Sequence, residues 1–98
     1  MSKNLHGKEM DKLMDGILTL RTREEVYKFF EDLCTVNELE SINQRFQVAG
    51  MLREEKTYMD IAKETGASTA TISRVNRALN YGNDAYDMVL NRLAEDKE

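Results

Sequence analysis

The sequence contains no proline, one cysteine (Cys34) and one histidine (His6). Without proline, nothing in the chain removes a backbone N–H from a helix interior. A single cysteine excludes an intrachain disulfide and a four-cysteine metal site, and Cys34 is expected to act as a small buried hydrophobe. His6 has no second histidine to join it as a ligand, so neither a metal nor another cofactor is expected. No apolar run approaches the roughly 20 residues needed to cross a bilayer. The opening stretch MSKNLHGKEMDK lacks the apolar segment of a secretory signal. These absences point to a cytoplasmic protein that does not enter the membrane. There is also no histidine beside a nucleophile and no glycine-rich phosphate loop, so the chain is not expected to be an enzyme.

What is present favours helices. The 98 residues are 41% apolar and 33% charged, with Met, Leu, Glu, Lys, Arg and Ala plentiful. Those residues tolerate the helix best, so the fold class is all-α. The net charge of −4 is unevenly spread. Residues 56–79 carry 4 basic and 2 acidic side chains, a local charge of +2, whereas 1–55 and 80–98 are each −3. A phosphate-binding face is locally positive even on an acidic protein.

Six helices are expected in one domain. Met10, Leu13, Met14, Ile17 and Leu18 mark one apolar face of a first helix ending near Leu20. Thr22 with Glu25, and Thr35 with Glu38, read as capping boxes opening the second and third helices. Leu39, Ile42, Phe46, Ala49, Met51 and Leu52 follow in the third, which ends where Glu54, Glu55 and Lys56 break the pattern. Thr57 caps a fourth helix, Gly66 ends it and Ser68 caps a fifth. In YGND (81–84), Gly82 is expected to take positive φ, and Asn83 or Asp84 to cap a last helix over 84–94. The large apolar load of residues 10–52 suggests a dimer interface, because short amphipathic helices cannot cover wide apolar faces within so little chain.

The stretch DIAKETGASTATISRVNRAL has the parts of a helix-turn-helix over 57–79. Ala62 is small where a second helix crosses, and Gly66 suits a left-handed turn. Ile61, Thr65, Ala67, Ile72 and Val75 can hold the two helices together. A 3.6-residue wheel turns Ile72, Val75 and Leu79 inward and Thr69, Ala70, Ser73, Arg74 and Arg77 outward. Small residues at the start of that face permit close entry to a major groove, and the arginines reach phosphates or guanine edges. Ser68, Thr71 and Lys63 complete the expected DNA-binding set, with double-stranded DNA as the partner.

ASTATISRVNRAL, preceded by TYMDIAKETG and by LCTVNELESINQRFQVAGMLREE, resembles the reading head and preceding helix of the Trp repressor superfamily, in its YerC/YecD branch. The resemblance implies a six-helix subunit, an intertwined homodimer and two reading heads on a palindromic operator, hence a transcriptional regulator, expected to be a repressor. It also implies a ligand pocket. Arg45 and Arg74 stand at the positions of the repressor's arginine pair around tryptophan, and Thr35 at that of a pocket threonine. Val75 stands where the repressor has glycine, and Ala78 where it has a pocket serine. Tryptophan is therefore not expected to be the effector, and whether another small molecule serves stays open. The alternative is a protein–protein interaction module that kept the fold.

Overall fold

The computed structural model describes residues 5–96. Among them are six helices and no strand: α1 (Lys8–Leu18), α2 (Arg23–Leu33), α3 (Val36–Arg53), α4 (Tyr58–Thr65), α5 (Thr69–Tyr81) and α6 (Ala85–Asp96). No described helix is long and apolar enough to cross a membrane.

Four hydroxyl residues start helices as their sequence positions suggest. Thr22, Thr35, Thr57 and Ser68 each accept a 3.1 Å hydrogen bond from a backbone N–H three residues on. Each bond satisfies one of the N–H groups a helix start leaves unpaired. Thr35 and Glu38 form a full capping box, since the Glu38 carboxylate accepts from the Thr35 N–H at 2.8 Å. The first box closes one residue early, with Glu25 accepting from the Arg21 N–H at 2.8 Å.

One turn differs from expectation, and the end of α3, which falls where the sequence pattern breaks, has a geometry the pattern does not show. Gly82 has φ −91°, and the positive φ of this turn falls on Asp84, at 62°. Gly82 is needed for a different reason: a Cβ there would collide with the Ala78 carbonyl, to which the Gly82 N–H donates at 2.9 Å. At the end of α3, Lys56 N–H donates to Met51 O at 3.1 Å and Glu55 N–H to Leu52 O at 2.9 Å. That pair of bonds defines a Schellman motif, and it puts Glu55 at φ 62° in the place glycine usually takes.

The chain divides into two compact units, residues 1–39 and 40–98. In the first, no described residue is buried. Met14, Leu18, Val26, Tyr27 and Leu33 are all exposed, although Phe29 and Phe30 stack edge to face at 5.6 Å. Cys34, expected in a core, is half-buried at the C-cap of α2.

The second unit holds the core. Val48 and Ala49 of α3, Ile61 of α4, Ala67, and Ile72 and Val75 of α5 are each 0–4% exposed. Met51, Leu52, Ala62, Leu79 and Tyr86 pack around them. Polar ties fix the edges. Gln44 donates to the Thr65 carbonyl at 3.1 Å, which joins α3 to the end of α4. Arg53 pairs with Asp87 at 3.4 Å and donates to Asn91 at 2.7 Å, which joins α3 to α6.

Candidate nucleic-acid interface and adjoining cleft

α4 and α5 meet at a turn whose geometry is set by two residues. Gly66 lies at φ 74°, ψ 5°, and its N–H donates to the Ala62 carbonyl at 2.9 Å. Left-handed backbone of this kind costs a residue with a Cβ roughly 1–2 kcal/mol. Thr65 Oγ1 donates to the Ile61 carbonyl at 2.7 Å and accepts from the Ala67 N–H at 3.1 Å. Ala67 is thereby drawn into the core, and α5 starts at a defined angle to α4.

α5 then has two contrasting sides. Ile72 and Val75 are buried and Leu79 packs beside them, while Thr69, Ala70, Ser73, Arg74 and Arg77 are exposed. The wheel drawn from the sequence holds at every one of these positions. Ser68 and Thr71 are partly committed to the helix start, because Ser68 Oγ donates to Thr71 Oγ1 at 3.1 Å. Lys63 is exposed in the last turn of α4.

The electrostatics of this face are one-sided. α5 contains no acidic residue, and among the described residues Lys63, Arg74 and Arg77 form no ion pair. The nearby carboxylate of Glu64 sits 3.9 Å from the Lys56 ammonium. No acidic side chain in the first turn offsets the partial positive charge at the start of α5. Arg74 and Arg77 on the exposed side of a helix that has no acidic residue, with an uncompensated N-terminus, make an arrangement that attracts phosphate.

Beside this face lies a cleft of about 240 Å³, lined by Ser41, Arg45, Ala70, Thr71 and Arg74. Arg45 donates to Ser41 Oγ at 3.3 Å. Of the five pocket residues drawn from the resemblance, Arg45 and Arg74 line the cleft together. Val75 is 1% exposed and belongs to the core, and Ala78 is half-buried. Thr35 caps α3 with its hydroxyl and belongs to the first compact unit. Sequence reasoning missed Ser41 as a lining residue and gave Thr71 only a DNA role. The available signal was spacing, since each hydroxyl lies about one helical turn before an arginine, Ser41 before Arg45 and Thr71 before Arg74.

An all-helical chain with an α4–turn–α5 unit bearing a basic outer face is a helix-turn-helix protein. The family model of the Trp repressor protein matches residues 8–94. The chain belongs to the Trp repressor family. It is 63% identical over 91 residues to the uncharacterised protein YerC of Bacillus subtilis (strain 168), covering 93% of this chain and 88% of that one. A TrpR-like protein from Eubacterium eligens ATCC 27750 superposes with a TM-score of 0.89 at 60% identity, over 92% of this chain and 93% of its own. A Staphylococcus aureus protein described as a candidate Trp repressor has the same TM-score at 59% identity, over 92% and 90%.

Proposed function

We propose that this protein is a transcriptional regulator that binds a palindromic DNA operator as a homodimer. The observation that carries this reading is the exposed side of α5, where Thr69, Ala70 and Ser73 precede Arg74 and Arg77 without an acidic neighbour on the helix. α5 enters the major groove, with the small polar residues reading base edges. Arg74, Arg77 and Lys63 hold the backbone.

The dimer is supported by the first compact unit, whose described residues include none that is buried. Helices with exposed apolar faces gain little by folding alone, so α1 and α2 take their cover from a second subunit. Two-fold symmetry then sets two copies of α5 about 34 Å apart, one helical turn of DNA.

Regulation is not by tryptophan. The resemblance to the repressor puts Val75 at the glycine that leaves room beside the ligand, and here that side chain is part of a closed core. Operator affinity is therefore constitutive with respect to tryptophan. Selection of bound sequences from random duplex DNA tests the whole reading. Enrichment of one palindrome supports it, whereas no enrichment and weak, sequence-independent retention contradict it.

A further inference from the structure

The exposed side of α5 does not end at Arg77. Ala70, Arg74, Arg77 and Tyr81 follow one another at four-, three- and four-residue steps, so Tyr81 stands on the side that carries both arginines. Its side chain is 87% exposed, more than any other large apolar or aromatic side chain among the described residues. Among those residues its hydroxyl also has no hydrogen-bond partner. The chain leaves the helix immediately afterwards. The Gly82 N–H donates to the Ala78 carbonyl at 2.9 Å, an approach that a Cβ at Gly82 would block. The helix end is thereby fixed, and with it the place of Tyr81, the last residue of α5. A ring this exposed adds almost nothing to the core of its own subunit.

We propose that Tyr81 is a DNA-backbone contact, its phenol hydroxyl donating to a phosphate on the wall of the groove that α5 enters. The inference rests on the DNA-binding reading and extends it to a neutral residue. Length favours the contact. The 13 residues of α5 make it about 20 Å long, whereas the major groove is about 12 Å wide. A helix that enters by Thr69, Ala70 and Ser73 therefore carries its last turn over the sugar-phosphate wall. Charge selects the partner. Tyr81 continues a row with two arginines on a helix without an acidic residue, so the matching surface is anionic. Tyrosine suits such a position, because its hydroxyl donates to phosphate and its ring covers the sugar without adding charge.

Because the contact is neutral, it has a signature that an arginine contact lacks. Tyr81→Phe should weaken duplex binding roughly tenfold or more, through one lost hydrogen bond to a charged group in each subunit. The loss should be equal on the selected palindrome and on unrelated duplexes, because phosphates carry no sequence. The slope of log affinity against log salt should stay unchanged, since a neutral donor releases no counterion. Tyr81→Arg should restore affinity and steepen the slope by about two, one more neutralised phosphate per subunit. Neither variant should alter thermal unfolding or sedimentation of the free protein. A Tyr81→Phe variant that binds as tightly as the parent would overturn the inference and leave the arginine face standing. A loss confined to one base position would overturn it too, by making Tyr81 a base-reading residue. So would a loss accompanied by weaker dimerisation, which would put Tyr81 in the subunit interface. A wild-type chain without affinity for any duplex would refute the DNA reading itself.

Discussion

Replacing Val75 by glycine should trade stability for tryptophan affinity. Val75 is 1% exposed and packs with Val48, Ala49, Ile61, Ala67 and Ile72. Removing its side chain forfeits about 2 kcal/mol of burial, and glycine in a helix interior costs about 1 kcal/mol more. The variant should therefore be about 3 kcal/mol less stable, which is measurable as a lower denaturant midpoint. By the resemblance, glycine at this position is what leaves room beside the repressor's arginine pair, whose counterparts Arg45 and Arg74 line the neighbouring cleft. Forcing an indole past Val75 should cost about 1–3 kcal/mol, or roughly a 5- to 150-fold loss of affinity. Calorimetry should thus find negligible tryptophan binding to the wild-type chain at micromolar concentration and at least tenfold tighter binding to Val75→Gly. Operator binding by the wild-type chain should be unchanged by added tryptophan. Micromolar tryptophan affinity in the wild-type chain, coupled to tighter DNA binding, would refute the reasoning.

Three further outcomes follow from the structure. Phe30→Glu introduces a charge onto the apolar load of the N-terminal helices, and it should abolish dimerisation in sedimentation experiments because a desolvated charge costs several kcal/mol. Glu55→Gly relieves the φ of 62° in the Schellman motif. It should stabilise the chain by about 0.5–1 kcal/mol in urea unfolding, the left-handed penalty less the entropy glycine loses. Gly66→Ala acts in the opposite sense at φ 74°, and should cost about 1 kcal/mol in the same assay and weaken DNA binding by disturbing the turn.

The helices were legible in the sequence because their signals are local. Thr22, Thr35, Thr57 and Ser68 each needed only a residue three positions on, and all four cap as their positions suggest. The outward face of α5 was legible for a similar reason, since 3.6-residue periodicity is independent of context. Turns were less readable. In YGND the glycine suggested the positive φ, yet Asp84 has it, because Gly82 is held against the Ala78 carbonyl, an approach set by the helix end. Glu55 in a left-handed conformation gave no composition signal, because the flanking helices impose its φ. The cleft was half visible. Its arginines came from the resemblance, but Ser41 joins Arg45 only through the shared face of α3. Gln44 reaching the Thr65 carbonyl, and Arg53 reaching Asn91, span 21 and 38 residues, beyond anything periodicity reveals.

The central claim, that the basic side of α5 binds duplex DNA, is tested most directly by the salt dependence of operator affinity. Fluorescence anisotropy with a labelled duplex carrying the selected palindrome gives the dissociation constant across a salt series. If Lys63, Arg74 and Arg77 of each subunit neutralise one phosphate apiece, the dimer neutralises about six phosphates, and the slope of log affinity against log salt should be about −5. Arg77→Ala should flatten it by about two, because each subunit then neutralises one phosphate fewer, and should weaken binding to all duplexes alike. A slope near zero, or one unchanged in both Arg74→Ala and Arg77→Ala, would contradict the account and favour a protein partner on this face.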